Sequence, residues 1–188
     1  MTAAKDPKQH IRRTGREVVY QGSILKFCKD TIQTPDGRTE YYDFIDHSRA
    51  AACVAVNNEG KILLVRQYRE AIDRIATEIP AGGINKGETS MQAAARELEE
   101  ETGYRARSIT PLLSEITAIA YCNEVVDVFL AQDLEKTSQH LDPDESIAPL
   151  FLSPEEFIRE VSEGNIQDSK TIAAVTTWIA RQLTEIRQ

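Results

Sequence analysis

Several glutamates on one predicted helix are the residues of this chain whose types and spacing could do chemistry. The helix is predicted to begin at Thr89 or Ser90, which are N-cap residues, and to end at Gly103, where a left-handed cap is favoured. At about 100° per residue, one helix face would carry Glu97, Glu100 and Glu101. Such carboxylates repel by up to ~4 kcal/mol per pair at ~4 Å and an effective dielectric near 20. A bound cation would relieve that repulsion.

The oxygen-only donor set indicates the kind of cation. Mg²⁺, or Mn²⁺ as a substitute, suits carboxylates, whereas Zn²⁺ would favour Cys or His, and neither lies nearby in the sequence. Mg²⁺ is usually held by a few carboxylates together with substrate phosphates, so the helix predicts a phosphate-bearing ligand. Arg96 can pair with Glu100, four residues on, and Met91, Ala94 and Leu98 form an adjoining apolar stripe. The competing interpretation is a solvated glutamate-rich face.

The residues around the helix weigh against that competing interpretation. The segment GGINKGETSMQAAARELEEETGY, residues 82–104, has the spacing G-x5-E-x7-R-E-U-x-E-E-x-G-U, where U is apolar or aromatic. This spacing resembles the signature of the Nudix hydrolases. The resemblance implies an α/β fold, an α/β/α sandwich with a mixed sheet.

Composition limits the classes of function. The chain has 188 residues, a net charge of −8 and a pI near 5.0, which argues against a nucleic-acid surface. No apolar run approaches the length of a membrane span, and the basic N-terminus lacks the apolar core of a secretory signal. Cys28, Cys53 and Cys122 are widely spaced and in no CxxC pattern, so we expect reduced, non-catalytic thiols in a cytoplasmic protein.

The remaining elements follow from periodicity and turn signals. A small antiparallel sheet is predicted first, with strands at 17–21, 24–31 and 38–46 and a hairpin turn at residues 34–37. Residues 1–47 are assigned to this sheet and an N-terminal arm. Residues 48–188 are assigned to the main domain. Its predicted strands lie at 51–56, 61–69, 109–119, 125–131 and 147–151. A capping box at Ser153 with Pro154 starts one helix, another begins at Asp168, and Trp178 is predicted to pack in the core.

A longer resemblance indicates a branch of the family. LLVRQYR (63–69), TEIPAGGINKGE (77–88) and EGNIQDSKT (163–171) look like segments of ADP-ribose pyrophosphatases and related nucleoside-diphosphate-sugar hydrolases. That branch implies a homodimer with exchanged N-terminal strands. It also implies metal binding by the Ala81 carbonyl, Glu97 and Glu101, assistance by Glu100, and orientation of the carboxylates by Arg96. Glu88, off the metal face, is expected to be structural.

The same resemblance implies substrate contacts. Arg69 would face the diphosphate and Glu78 the nucleotide side, while Arg66 is either a substrate contact or an ordinary strand-end charge. Tyr121 could stack on a base or sugar, or could be a buried loop tyrosine. The segment AIAYCNE (118–124) lacks the Pro and Gly of the family's loop, which leaves GDP-mannose open beside ADP-ribose.

Acidic loop residues are candidates for activating water. Glu124 matches the family's acidic position and ranks first, Asp144 ranks second, and Asp142 is a third candidate. Glu145 aligns with a metal-binding glutamate. A solvated loop is the competing interpretation for Asp142 and Asp144.

The sequence therefore predicts Mg²⁺-dependent hydrolysis of the diphosphate linkage in a nucleoside diphosphate sugar. The alternatives are a Nudix hydrolase of other nucleotides (triphosphates, dinucleotides or coenzyme A) and a sensor that binds an ADP-ribose-like ligand without cleaving it.

Overall fold

The computed structural model describes residues 11–143 and 145–185. Within these ranges the chain forms ten β-strands and three α-helices. The strands are β1 (Arg12–Gln21), β2 (Leu25–Gln33), β3 (Thr39–His47), β4 (Ala50–Val56), β5 (Ile62–Arg69), β6 (Arg74–Glu78), β7 (Ala81–Gly83), β8 (Tyr104–Ile116), β9 (Val125–Lys136) and β10 (Ile147–Leu152). The helices are α1 (Ser90–Thr102), α2 (Pro154–Ser162) and α3 (Ser169–Glu185).

The first three strands form the predicted small antiparallel sheet, in the order β1-β2-β3. The predicted hairpin turn is confirmed, since the Gly37 amide donates to the Thr34 carbonyl at 2.9 Å and Gly37 has φ 86°. Strand β1 begins at Arg12, five residues before the predicted start at 17. The charged segment is extended because it pairs with β2, where Arg16 makes two hydrogen bonds of 2.6 and 2.7 Å to Asp30.

The chain divides into two compact units. The smaller contains the described residues up to Ser48 and also Ala118–Glu124, the segment that connects β8 to β9. Within this unit Ile45 and Cys122 form a parallel β-bridge, and the Ile45 amide donates to the Tyr121 carbonyl at 2.7 Å. The larger unit contains Arg49–Thr117 and the described residues from Val125 onward.

The larger unit is built on a seven-stranded mixed sheet. Its main path is β10-β5-β4-β9-β8, with β6 beside β5 and β7 beside β4. Strands β4 and β9 run parallel, and the other neighbours are antiparallel. Strand β4 is buried on both faces, as its unbroken apolar sequence requires.

Helices cover both faces of this sheet, which confirms the α/β/α sandwich. Alternate residues of β4 point to opposite faces, because side chains along a strand have a period of two. Cys53 packs with Ala94 and Leu98 of α1, whereas Val54 packs with Phe157 of α2 and with core residues of α3. Trp178 is 6% exposed and packs in this second core, as predicted.

Several strand boundaries in the structure differ from those predicted from the sequence. Strand β8 starts at Tyr104, directly after the helix, and ends at Ile116, so the predicted strand at 109–119 began too late and ended too late. The short strands β6 and β7 were not predicted: β6 forms a hairpin with the preceding strand β5, whereas β7 is ordered by pairing with β4, about 30 residues earlier in the chain. The capping box at Ser153 with Pro154 at the start of α2 is confirmed. No helix in the described ranges is long and apolar enough to cross a membrane.

Candidate active site

Helix α1 is held at both ends as its sequence predicts. The Thr89 hydroxyl accepts from the Gln92 amide, the Gln92 side chain accepts from the Thr89 amide, and Gly103 adopts φ 68° at the C-terminus. The predicted apolar stripe is correct at Ala94 and Leu98 but wrong at Met91, which is 43% exposed. Met91 lies in the first turn, before the helix reaches the sheet, and the buried face runs on to the last turn instead. A glutamate therefore occupies the buried face.

That glutamate is Glu101, which is only 3% exposed. Its Oε2 accepts from the Ala81 amide of β7 at 3.2 Å. Burial, reinforced by the negative charge of Glu97, raises the pKa of Glu101 to about 8, although the Ala81 amide and the charge of Arg69 oppose the shift. A carboxyl in this environment is poorly compensated when ionised.

Glu97 lies beside the same strand. Burial raises the pKa of Glu97, and the positive charge of Arg96 opposes the shift. A Cβ atom at Gly82 of β7 would overlap the Glu97 carboxylate. A side chain at this position would therefore displace the Glu97 carboxylate from its place beside β7.

Arg96 links the glutamates of α1 to the loop before the helix. Its guanidinium donates to Glu97 at 2.7 Å, to Glu100 at 2.9 Å and to Glu88 at 3.0 Å, and it also donates to the Gly83 carbonyl at 2.9 Å. The predicted pairing of Arg96 with Glu100 is confirmed. Hydrogen bonding to Glu88 first, and then to the other two carboxylates, raises the pKa of Arg96. Glu88 also accepts from the Asn85 amide at 3.0 Å, so its contacts accord with the structural role predicted for it.

The acidic face has the chemistry of a divalent-cation site. Its donors are carboxylate and carbonyl oxygens, and burial raises the pKa of Glu97 and of Glu101 even though the cations Arg96 and Arg69 act in the opposite direction. Among the described residues, no three His, Cys, Asp or Glu side chains are already grouped as a metal site. The reason is visible at Arg96, which holds the carboxylates of Glu97 and Glu100. The residues therefore fit a hard divalent cation in their chemistry, and binding would require those two carboxylates to turn from Arg96.

The loop between β9 and β10 is anchored at the C-terminal end of α1. The Gln139 side chain donates to the Glu101 carbonyl at 2.6 Å, and the His140 amide donates to the Glu100 carbonyl at 2.9 Å. In this loop Glu145 accepts from the Asp142 amide at 3.1 Å, and its charge contributes to the raised pKa of both Glu97 and Glu101. Glu145 thus belongs to the electrostatic environment of the acidic face. Asp144 lies outside the described residues.

Arg69 and Glu78 form a bidentate ion pair between β5 and β6. The distances are 2.7 Å from Nε to Oε1 and 2.9 Å from Nη2 to Oε2. Burial disfavours the charge on Glu78, but the Arg69 hydrogen bond and Lys170 outweigh it and lower the pKa of Glu78 to about 2. The Arg69 charge also acts on Glu101, so this pair lies within electrostatic reach of α1.

A cavity of about 1050 Å³ opens beside this ion pair. Its polar lining includes Arg66, Arg69, Glu78 and Lys170, and its apolar lining includes Ile72, Ile75, Leu150 and Ile166. The structure thus places three of the predicted substrate residues, Arg66, Arg69 and Glu78, on one cavity. The volume suits a ligand of nucleotide size.

Two further predicted residues lie in the smaller unit. Glu124 pairs with His47, with 3.2 Å between Oε1 and Nδ1. Tyr121 is 53% exposed, so the interpretation as a buried loop tyrosine is wrong. Its ring is accessible because the short helical turn at 117–121 contributes backbone rather than side chain to the bridge with β3.

Residues at the start of α3 were not assigned a role from the sequence. Lys170 donates to Glu78 and to Asp168, and the Thr171 hydroxyl accepts from the Ile79 amide at 2.8 Å. The signal was present in the segment EGNIQDSKT, where an acidic cap precedes a cation and a hydroxyl. Its partners could not be named, because they lie 92 residues earlier in the chain.

Comparisons with known proteins agree with this geometry. The NUDIX domain family matches residues 46–175. The chain is 36% identical over 161 residues to a methanol dehydrogenase activator of Bacillus methanolicus, covering 85% of this chain and 87% of that protein. It is 34% identical over 162 residues to an ADP-ribose pyrophosphatase of Bacillus subtilis (strain 168), covering 85% and 88%. A crystal structure of an ADP compounds hydrolase superposes with a TM-score of 0.83 at 20% identity, covering 95% of this chain and 98% of that one, which shows a shared fold.

This chain belongs to the NUDIX family and is a hydrolase of that family. The resemblance seen in residues 82–104 is confirmed, and so is the fold it implied.

Proposed function

We propose that this chain hydrolyses the diphosphate linkage of a nucleoside diphosphate sugar to a nucleoside monophosphate and a sugar phosphate. A water oxygen forms a new bond to one phosphorus, and the bridging oxygen departs with the other phosphate. ADP-ribose and ADP-sugars are the first candidate substrates, because the Bacillus subtilis relative is named an ADP-ribose pyrophosphatase. GDP-mannose is the second, because the segment 118–124 departs from the family's loop.

One observation carries the proposal. Buried Glu101 and part-buried Glu97 place two carboxylates beside the glycine strand β7, and Arg69 on the neighbouring cavity acts electrostatically on Glu101. A substrate diphosphate would bring negative charge to Arg69, and a cation would join it to the carboxylates. Cavity and acidic face together therefore suit a diphosphate ligand with its metal.

The proposed metal ligands are the Ala81 carbonyl, Glu97, Glu100, Glu101 and Glu145. Mg²⁺, for which Mn²⁺ would substitute, supplies charge neutralisation and polarises the phosphoryl group when bound. Arg96 orients the carboxylates of α1, as its three ion pairs support.

The proposed substrate contacts are Arg69 toward the diphosphate, Glu78 toward the nucleotide side, Arg66 in the same cavity and Tyr121 as a stacking ring. Glu124 is the first candidate for activating water. Its pairing with His47 supports a role as a proton acceptor that is held in place. Asp144 remains the second candidate.

The proposed assembly is a cytoplasmic homodimer in which residues 1–47 exchange strands. Support comes from β1, where Val18, Val19 and Tyr20 are 52%, 54% and 64% exposed. Apolar side chains of this size on one strand are typical of a surface that a partner covers. Neither nucleic acid nor membrane is a proposed partner.

Product analysis tests the function. Purified protein is incubated with Mg²⁺ and a panel of ADP-ribose, ADP-glucose, UDP-glucose, GDP-mannose, NADH and a nucleoside triphosphate. We expect metal-dependent release of a nucleoside monophosphate from at least one sugar nucleotide, and a loss of about 100-fold or more in kcat for Glu101→Gln and for Glu100→Gln. Glu99→Gln is the matched control, since Glu99 is on the same helix but pairs with Arg105.

Three outcomes would contradict the proposal. If the Glu101→Gln variant is active, the acidic face of α1 does not have the metal-binding role assigned to it. Cleavage of triphosphates or dinucleotides alone would indicate a different Nudix substrate. Binding without cleavage, measured by calorimetry, would indicate a sensor. A parallel reaction with a methanol dehydrogenase tests the activity for which the Bacillus methanolicus relative is named.

A further inference from the structure

The N-terminal end of α3 is hydrogen-bonded to a segment that lies 92 residues earlier in the chain. Lys170 donates to the carboxylate of Glu78 and, at 2.9 Å, to Asp168 Oδ2. The Thr171 hydroxyl accepts from the Ile79 amide at 2.8 Å and donates to the same Asp168 oxygen at 2.5 Å. Two adjacent residues of α3 therefore hold two adjacent residues at the end of β6.

The contact of Thr171 with Ile79 is buried and those of Lys170 are part-buried, which distinguishes them from ordinary surface ion pairs. Glu78 is 3% exposed and Thr171 is 0% exposed, and the Lys170 side chain is 14% exposed. Exposed salt bridges contribute little, whereas removing one partner of a buried contact leaves a charge or an amide without its hydrogen bond. The contacts are therefore strong enough to define a backbone position.

The hydrogen-bonded segment joins the substrate side of the site to the metal side. It begins at Glu78, whose carboxylate holds Arg69, and continues through Ile79 and Pro80 to Ala81. The Ala81 amide donates to Glu101. A shift of Glu78 or Ile79 would therefore move both Arg69 and the Ala81 peptide.

Lys170 lines the same cavity as Arg69, but its contacts indicate an indirect role. Its ammonium group is already engaged by two carboxylates, whereas the Arg69 side chain is 43% exposed. Arg69 and Lys170 together neutralise the negative charge of Glu78. Without Lys170, Arg69 alone would neutralise that charge and would be bound more tightly to Glu78, away from a diphosphate.

We propose that Lys170 and Thr171 are positioning residues for hydrolysis, Lys170 by setting how firmly Glu78 holds Arg69, and Thr171 by fixing the Ile79–Ala81 backbone. This inference rests on the proposed function. It separates the two residues by kinetic effect, because Arg69 serves substrate binding and Ala81 serves the reacting centre.

Four variants test the inference. Lys170→Met is expected to raise KM about tenfold with kcat changed less than about threefold, and Lys170→Arg to recover most of the loss. Thr171→Val is expected to lower kcat about tenfold with a smaller change in KM, and Thr171→Ser to restore it. Thr177→Val is the control on the same helix, since the Thr177 hydroxyl bonds only to the Ala173 carbonyl of its own helix among the contacts seen here.

Amide hydrogen exchange gives a readout that does not depend on activity. The Ile79 amide should exchange faster in Thr171→Val than in Thr177→Val at matched thermal stability, since only the first loses its acceptor. The inference is overturned if Lys170→Met and Thr171→Val match Thr177→Val in kcat and KM while the native protein is active. It is also overturned if their losses follow thermal stability alone. A native protein that cleaves no sugar nucleotide refutes the proposed function instead, which keeps the two failures distinct.

Discussion

Replacing Glu101 by Gln should make the metal-free protein more stable at high pH while abolishing its activity. Glu101 is 3% exposed and its pKa is raised to about 8, first by burial and then by the charge of Glu97. Gln has nearly the same shape and can still accept from the Ala81 amide, but it carries no charge. The substitution therefore removes the electrostatic cost and leaves the packing in place.

The magnitude and sign follow from the two protonation states. The unfolded carboxyl loses its proton near the ordinary pKa of 4.5, while the folded one keeps it to about 8. Between these values the folded state binds more protons, so its stability falls as pH rises, by ~1.4 kcal/mol per pH unit. The raised pKa of Glu101 thus lowers the free energy of unfolding by roughly 2 kcal/mol at pH 6 and by roughly 5 kcal/mol at pH 8.5. The advantage of Glu101→Gln should grow by roughly 3 kcal/mol between the two pH values.

Urea unfolding in EDTA at pH 6 and pH 8.5 measures this difference. With an m-value of ~2–3 kcal/mol/M, the midpoint of the variant should gain about 1 M on the native protein as pH rises. Glu99→Gln removes a charge from the same helix at a salt bridge to Arg105 on the surface, and it should change stability by less than ~1 kcal/mol at both pH values. Adding Mg²⁺ at pH 8.5 should stabilise the native protein and not Glu101→Gln.

Equal stability differences at pH 6 and pH 8.5 would refute the reasoning, because Glu101 would then titrate alike in the folded and unfolded states. Stabilisation of Glu101→Gln by Mg²⁺ to the same extent as the native protein would show that this carboxylate does not respond to the cation.

Three further predictions concern packing and charge elsewhere. Gly82→Ala should lower activity at least ~10-fold because its Cβ would overlap the Glu97 carboxylate. Gly83→Ala is the control, since a Cβ there meets nothing within 4 Å. Equal activity of the two variants in the hydrolysis assay would contradict the close approach of Gly82 to Glu97. Phe157→Ala should cost ~3–5 kcal/mol in urea unfolding because Phe157 is 0% exposed, and Ile158→Ala, at 43% exposed, should cost under ~1 kcal/mol; similar losses would contradict this assignment of the core. Hydrogen bonds from Arg16 lower the pKa of Asp30 although burial opposes the shift, so the stability that Asp30 contributes is present above the ordinary pKa of 3.8 and is lost as pH falls from there through the lowered pKa of the folded state. Asp30→Asn should therefore be less stable than the native protein at pH 7, and the difference should shrink as pH falls below 3.8; a loss that does not change with pH in thermal unfolding would be the opposing result.

Local signals in the sequence were sufficient for α1 and its chemistry. Thr89, Gly103 and the spacing of Glu97, Glu100 and Glu101 act within one helix, where caps and angular positions depend on neighbours a few residues away. The family, the α/β class and the capping box of α2 were predicted for the same reason. The unbroken apolar run of β4 is likewise a local signal, typical of a strand buried on both faces.

The short strands and the long-range contacts were not predicted from local signals in the sequence. Strands β6 and β7 have three to five residues each and are ordered by pairing with β5 and β4. The placement of 118–124 with the first sheet depends on a bridge between Ile45 and Cys122. The pairing of β6 with β5 is a local hairpin, but the pairing of β7 with β4 and the bridge from Ile45 to Cys122 depend on partners that are remote in the sequence, which no local propensity encodes.

Within the candidate site, the sequence by itself determined which residue types were available and which face of α1 carried them. Only the tertiary structure decided that Glu101 is buried, that Gly82 lies against the Glu97 carboxylate, and that Lys170 and Thr171 hold the end of β6. The physical reason is that a pKa and a steric limit depend on what surrounds a group in space. Those surroundings come from strands and helices up to 92 residues away, which only the folded chain brings together.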